Sequence, residues 1–395
     1  MIYLFLQYLS LSAAVKVPAV FLYSSTRMIL AAMTTLLLTI FMGPRFISKL
    51  YALKTGQSIR VEDCPMLAEL HQKKKETPTM GGILILVSML VALLLWMDLR
   101  NPFTLMLASS TIWLGLLGGM DDYLKMKHKN SKGLPARKKF GLQVLFAALL
   151  GLYLLWPAFS EALHFGTWFV PPHMKLGGEV YESQLAYGQY FFPFKKGALF
   201  ALSGVGLFLG FLMTIVVVTG SSNAVNLTDG LDGLASGCIL MVAAVFALFA
   251  FLSNNIEMAR YLNIPYIEGS SEIAIYMCAM AGSCLGFLWY NGYPAQVFMG
   301  DTGSLALGGI LGTAAVLMRK EFLLALVGGI FVIEAVSVIL QVLSYRYRNK
   351  KRIFRCAPLH HHFEFKGWPE PKVVVRFWII SLILALFGLA SIKFQ

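Results

Sequence analysis

Long apolar runs follow one another along almost the whole chain, separated by shorter stretches rich in charged residues. Crossing the hydrocarbon core of a bilayer takes about 20 helical residues, and isolated strands cannot satisfy their backbone in lipid. The pattern therefore predicts ten transmembrane helices. They are expected at about 23–44, 80–97, 103–120, 140–156, 197–219, 233–252, 272–290, 303–318, 321–343 and 374–392.

The composition agrees with this interpretation. Hydrophobic residues make up 57% of the 395 positions and charged residues only 13%, whereas soluble domains carry about 25% charged residues. We expect an all-α polytopic membrane protein, folded as a single domain over 1–395. The net charge of +13 does not predict nucleic-acid binding, because basic residues gather at membrane surfaces. The five cysteines show no paired spacing, which predicts free thiols.

Lysine and arginine concentrate in three stretches, 46–79, 121–139 and 344–372. Basic loops stay in the cytoplasm, so these three are predicted to be cytoplasmic. Ten spans then place both termini outside. The long stretch 157–196 is predicted to lie outside as well, with room for a short hairpin.

Three acidic motifs border the apolar runs: GGMDDYLK, NLTDGLDG and FMGDTGS. Ionisable groups at a membrane boundary are costly and usually serve a function. The third, fifth and seventh predicted spans end at or just before these motifs, so the motifs share the cytoplasmic face. Together they predict one site for a metal ion and phosphate groups. Its acids are Asp121, Asp122, Asp229, Asp232 and Asp301.

Each motif also has a simpler interpretation. Asp121 and Lys125 share a helix face, which suits a metal or phosphate site but equally a solvated helix end. Asn226, Asp229 and Asp232 are spaced by three residues and are predicted on the first turn of a helix. They either bind a ligand or form a capping cluster, although two aspartates and an asparagine exceed what capping requires.

The remaining candidates are more varied. Asp301 suits Mg²⁺, which prefers oxygen ligands, while Phe298 either stacks on a base or packs against lipid or core. Consecutive histidines do not face one way, so His360–His362 are assigned to phosphate or substrate rather than to zinc, with a plain surface loop as the alternative. The run Lys73–Lys75 beside Thr79 suits a polyphosphate or lipid headgroups.

Five segments carry a family resemblance. They are TPTMGG at 77–82, DDYLK at 121–125, GSSNAVNLTDGLDGLA at 220–235, YPAQVFMGDTGSLALGG at 293–309, and APLHHHFE with GWPEPKVVVRFWIISL within 357–382. Their joint occurrence resembles the polyprenyl-phosphate N-acetylhexosamine-1-phosphate transferases along nearly the whole chain. Ser222 stands where members often carry threonine, which leaves the aspartates untouched.

The resemblance implies a reaction. An Mg²⁺-dependent enzyme of the bacterial inner (cytoplasmic) membrane would transfer phospho-N-acetylmuramoyl-pentapeptide from UDP-N-acetylmuramoyl-pentapeptide to undecaprenyl phosphate. The segments PLHHHFE and GWPEP favour this donor over the alternative, an N-acetylglucosamine-1-phosphate donor. A secondary transporter is disfavoured because its charges would sit near mid-membrane, between inverted repeats. The oligomeric state stays open, with a homodimer as one candidate.

The resemblance also implies roles for single residues. Asp301 would hold Mg²⁺, and Asp121, Asp122 and His361 would join it in catalysis. Direct attack by the acceptor phosphate is favoured over a covalent aspartyl intermediate, because that phosphate is already a nucleophile. The substrate-binding residues would be Lys74, Thr79, Lys125, Asn226, Asp229, Gly230, Leu231, Asp232, Asn291, Phe298, His360 and His362.

Overall fold

The computed structural model describes residues 1–11, 18–53, 74, 77–128, 133–156, 174–176, 179–181 and 188–394. In chain order the helices of this part are α1 (Ile2–Leu11), α2 (Ser24–Ala52), α3 (Gly82–Trp96), α4 (Pro102–Lys127), α5 (Ala136–Leu155), α6 (Leu207–Thr228), α7 (Leu234–Ser253), α8 (Ile256–Leu262), α9 (Ser271–Asn291), α10 (Gly300–Leu317), α11 (Glu321–Val327), α12 (Gly329–Tyr347), α13 (Leu359–Glu364) and α14 (Glu370–Ala390). Short 3₁₀ turns lie at Ala19–Leu22, Gly204–Gly206 and Ser391–Phe394.

The prediction of an all-α polytopic membrane protein is confirmed. Among the described residues, nine helices are long and apolar enough to cross a bilayer, and α3 is a shorter apolar helix. All ten predicted spans coincide with helices. The four described cysteines are free, as expected.

Several predicted boundaries were wrong. The span at 197–219 begins later, at Gly204, because Ala198–Ala201 forms a strand. The span at 321–343 is two helices. Gly328 ends α11 by donating its N–H to the Leu324 carbonyl, and its own carbonyl accepts the N–H of Phe331 in the first turn of α12. Paired glycines disfavour a continuous helix at this point.

In the part of the chain that the structure describes, five short strands form two small antiparallel sheets. One has the order β2 (Glu179–Tyr181), β1 (Met174–Leu176), β5 (Tyr266–Ile267), and the other pairs β3 (Gln189–Phe191) with β4 (Ala198–Ala201). The β1–β2 pair confirms the hairpin predicted within 157–196, most of which lies outside the described residues.

The almost fully buried helix α10 lies at the centre of the bundle, packed against α4 and α6. Small residues allow this close approach: a Cβ added at Gly308 would lie 2.5 Å from the Ser221 carbonyl oxygen of α6. A second layer is formed by α9, which packs between α2 and α7. The first residues of α10 therefore meet the ends of several surrounding helices.

The opposite end of the bundle carries its own buried charges. Arg27 of α2 pairs with Glu272 of α9 at 2.8 Å, and Glu272 also accepts the N–H of Asp98. The amino group of Met1 contacts the Leu94 carbonyl at this end. Met1 therefore lies away from the acidic motifs.

Replacing Gly308 by alanine is expected to destabilise the protein by about 1–3 kcal/mol, because the new methyl group overlaps the α6 backbone. The measurement is the thermal unfolding midpoint in detergent. Gly220→Ala is the matched control, since nothing lies within 4 Å of a Cβ at that helical position. Equal midpoints for the two variants would contradict the proposed packing.

Candidate active site

The carboxylate of Asp122 joins α4 to the N-terminus of α10. It accepts hydrogen bonds from the backbone N–H of Asp301 (3.2 Å), the N–H of Thr302 (2.9 Å) and the Thr302 hydroxyl (2.8 Å). A carboxylate at this place accepts hydrogen bonds from N–H groups that have no partner within the helix. Its negative charge is also stabilised by the positive N-terminal end of the helix dipole. Asp122 therefore fixes the position of Asp301.

Gly300 makes this arrangement possible. Its φ of +74° lies in the region that favours glycine, and a Cβ there would lie 2.6 Å from Asp122 and 2.7 Å from the Thr79 hydroxyl. The motif around Thr79 runs beside this turn, because Phe298 N–H binds the Pro78 carbonyl and Gly81 N–H binds the Phe298 carbonyl. Two motifs about 220 residues apart are joined here by backbone hydrogen bonds.

Asp121 and Asp301 face two lysines. Lys125 lies 2.6 Å from Asp121 and 2.8 Å from Asp301, and Lys139 donates to Asp301 at 2.6 Å. The other oxygen of Asp301 accepts from Asn226 at 2.8 Å. The predicted helix-face pairing of Asp121 with Lys125 is confirmed. This group, Asp121, Asp122, Lys125, Lys139, Asn226 and Asp301, is called the carboxylate cluster below.

The carboxylate cluster fits a divalent cation. Single oxygens of Asp121, Asp122 and Asp301 lie within 4.8 Å of one another, and carboxylates are preferred ligands of Mg²⁺. Burial, together with the charges of Asp301, Asp122 and Asp232, raises the pKa of the neighbouring Asp229 to about 8. Burial is the main cause of this shift and the nearby carboxylates add to it, so a cation bound here would be stabilised by them.

A second group of charges surrounds Lys74. Its ammonium lies 2.6 Å from Asp232 and 2.5 Å from Glu370, and Glu370 also accepts the N–H of Asp232. The Phe298 ring centre is 5.9 Å from the ammonium. These residues, called the lysine 74 cluster, place a basic group and an aromatic ring side by side.

The predicted placement of Asn226, Asp229 and Asp232 on the first turn of a helix is wrong. Asn226 lies on the last turn of α6, Asp229 follows that helix, and Asp232 lies in the loop before α7. The loop contains Gly230 and Gly233, and Gly233 has a φ of +77°, which interrupts the helix. As a result the Asn226 side chain donates to Asp301 in the carboxylate cluster, whereas Asp232 accepts from Lys74. This one segment therefore links the two clusters.

Asn291 and Leu231 lie inside the protein. Asn291 accepts the N–H of Gly233 and the hydroxyl of Ser236, each at 3.1 Å, and donates to the Val297 carbonyl at 2.9 Å. It thus ties the start of α7 to the segment that carries Phe298. The Leu231 side chain is buried between these parts.

The three histidines occupy different environments. His360 is completely buried, whereas His361 is mostly buried and its Nδ1 lies 2.6 Å from Glu364. His362 accepts the N–H of Arg355 at 3.1 Å. Burial lowers the pKa of His362, and Lys366 and Arg355 add to the effect. The helix α13 therefore does not present three equivalent rings.

Sequence reasoning missed Lys139, Thr302, Glu334 and Glu370 as parts of the site. Lys139 was counted only as positive charge of a loop. Glu334 had a usable signal, because it is an acid inside the apolar run IFVIEAVSVIL. Glu370 lies in the motif GWPEP, but nothing local pointed to its contact with Lys74, since that contact joins segments almost 300 residues apart. Lys73 and Lys75, named with Lys74, lie outside the described residues.

Comparisons with known proteins agree with this geometry. The model of "Glycosyl transferase family 4" matches residues 103–319, and "Phospho-N-acetylmuramoyl-pentapeptide-transferase signature 1" matches residues 74–86. The first match includes residues of both clusters, and the second includes Lys74. They define a polytopic membrane transferase with charged groups gathered at one end of its helical bundle.

Similar proteins of known name indicate which family of membrane transferases this is. Proteins named phospho-N-acetylmuramoyl-pentapeptide-transferase are 59% identical in Protochlamydia amoebophila, covering all of both chains, 48% in Desulfotalea psychrophila, covering 95% of each, and 47% in Citrifermentans bemidjiense, covering 98% of each. The chain therefore belongs to the phospho-N-acetylmuramoyl-pentapeptide-transferase family.

Removing the carboxylate of Asp122 is expected to destabilise the protein. In Asp122→Ala three donors of α10 lose their acceptor, and each buried unsatisfied group costs about 1–3 kcal/mol. Thermal unfolding should show a clear loss of stability. Thr302→Val removes only the hydroxyl donor and should cost less. An unchanged midpoint for Asp122→Ala would show that α10 does not depend on this cap.

Proposed function

We propose that the protein transfers phospho-N-acetylmuramoyl-pentapeptide from its UDP-linked donor to undecaprenyl phosphate, releasing UMP and forming the first lipid-linked precursor of peptidoglycan. The observation that carries the proposal is the carboxylate cluster lying beside the lysine 74 cluster, within a chain of this family. We place the site at the cytoplasmic face of a bacterial inner membrane, because the basic stretches adjoin it.

The lysine 74 cluster suits the donor nucleotide. Lys74 is held by two carboxylates and can exchange one of them for a diphosphate oxygen, which keeps its charge neutralised. Phe298 lies close enough to stack on the uracil ring. Asp229, Asp232 and Asn291 order the loops on either side, with Gly230 and Leu231 between them.

The carboxylate cluster suits the reacting phosphates. Asp301, together with Asp121, would hold Mg²⁺, while Asp122 is committed to the N-terminus of α10. A bound Mg²⁺ supplies positive charge that screens the diphosphate and stabilises the leaving UMP. Lys125 and Lys139 lie within hydrogen-bonding distance of the same carboxylates and would donate to the acceptor phosphate.

The bond changes follow from this placement. An oxygen of undecaprenyl phosphate attacks the phosphorus attached to the sugar, and the phosphoanhydride bond to UMP breaks. The acceptor phosphate is already ionised near neutral pH, so the residues mainly bring two anions together and stabilise the charge that develops. Thr79, beside Gly300, and the histidine helix α13 would border the sugar and phosphates, with His361 and His362 as contacts.

Purified protein supplied with both substrates and Mg²⁺ is expected to release UMP, and chelation of Mg²⁺ should stop the release until the metal is restored. Asp301→Asn should lower kcat by about 100-fold or more, because charge stabilisation at the reacting phosphates is lost. The measurement is UMP formation over time.

Glu257→Gln is the matched control, since this exposed acid on α8 lies outside both clusters and should retain full activity. Full UMP release by Asp301→Asn would exclude the metal assignment. Turnover of UDP-N-acetylglucosamine in place of the muramoyl donor would exclude the proposed substrate.

Lys74→Met is expected to raise the KM for the UDP-linked donor. A charge-assisted hydrogen bond contributes about 1.5–3 kcal/mol, which corresponds to roughly a 10- to 100-fold change. Steady-state kinetics with varied donor would measure it. Lys49→Met, which removes an exposed lysine at the end of α2, should leave the KM unchanged, and equal KM values for both variants would refute the nucleotide role.

A further inference from the structure

Glu334 is a fully buried acid within the apolar helix α12. An ionisable group in a membrane helix is costly and calls for a partner and a role. None of the steps proposed above uses this residue. Its contacts connect it to α13, the helix that carries the three histidines.

The carboxylate of Glu334 caps α13 from outside. The N–H groups of Leu359 (2.7 Å) and His360 (3.1 Å) both donate to it, and the Nδ1 atom of His360 lies 3.2 Å from the same group. Pro358, which precedes α13, has no side chain that can cap the helix. Glu334 thus supplies the acceptor that an N-cap residue would otherwise provide.

The segment before α13 is held by the same helix. Gln341 accepts the N–H groups of Ile353 and Phe354 at 3.0 Å each, and Ser344 donates to the Lys351 carbonyl at 2.9 Å. Residues 334 and 341 are seven apart and share one face of α12. This face of α12 therefore binds the chain between Lys351 and His360. Of its residues, Glu334 is the one that contacts the start of the histidine helix.

His360 connects α13 to the loop from Asp229 to Asp232. A Cβ added at Gly230 would overlap the Nε2 atom of His360 and lie 3.0 Å from its Cε1. The ring therefore packs directly against the backbone between Asp229 and Leu231, leaving no room for a side chain. This loop continues to Asp232, which contacts Lys74. It is supported by the His360 ring, and Glu334 anchors the helix α13 that carries this ring.

We propose that Glu334 is a positioning residue for donor binding, which holds α13 so that His360 supports the loop from Asp229 to Asp232. The part of this inference that concerns the donor rests on the proposed function. The anchoring of α13 and its support of the loop do not depend on it.

The test compares full-length Glu334→Ala, Glu334→Gln and Ser344→Ala in detergent. Hydrogen exchange is followed in peptides covering 355–366 and 226–234, and steady-state kinetics give kcat and the donor KM. Glu334→Ala is expected to speed exchange in both peptides and to raise the donor KM by about 10- to 100-fold, because misplaced binding groups weaken the complex. Glu334→Gln keeps one acceptor and should fall between wild type and alanine. Ser344→Ala should leave the exchange of residues 359–360 and the KM unchanged.

Unchanged exchange in both peptides of Glu334→Ala would overturn the anchoring role. Faster exchange in 355–366 with an unchanged donor KM would overturn the positioning role. If Glu334→Ala does not fold, Glu334→Gln decides by the same two criteria. A wild-type protein that fails to release UMP would refute the proposed function, while the exchange in 226–234 would still decide whether Glu334 supports the loop.

Discussion

The structure depends on one buried carboxylate, that of Asp122, which accepts three hydrogen bonds at the start of α10. The central helix of the bundle is thereby tied to α4 at the level of the acidic motifs. Two neighbouring aspartates consequently differ in their partners. Asp122 accepts its hydrogen bonds from α10, whereas Asp121 accepts the N–H of Leu134 with one oxygen and contacts Lys125 with the other. Asp122 binds the N-terminus of α10 because the first N–H groups of a helix lack partners within the helix.

The lysines of the site are shared between carboxylates. Lys74, Lys125 and Lys139 each contact more than one carboxylate, and all of these pairs are at least partly shielded from water. Shielded charges are costly without a partner, so each lysine neutralises the carboxylates that it contacts. The segment from Asn226 to Asp232 contacts both clusters and so joins them.

Hydrophobic patterning predicted the helices well because lipid permits few alternatives to a helix. The prediction failed where glycines act locally, at Gly328 and in the loop from Gly230 to Gly233, which turns three equally spaced polar residues in different directions. The acidic motifs were found because charged groups are rare in such a chain. Glu334 was missed although the same reasoning applies to it, and Glu370, although part of the motif GWPEP, could not be paired with Lys74 from the sequence.

The sequence by itself determined the membrane class, the approximate spans, the family resemblance and the identity of the acids, since each follows from composition, period or local motif. Only the tertiary structure decided which acid faces which partner. The pairs Lys74–Glu370, Lys139–Asp301 and Glu334–His360 join distant segments, and no local pattern encodes a contact made by folding. Burial then determines the partner of each acid, because a buried carboxylate that water does not reach accepts hydrogen bonds from the donors that folding places beside it.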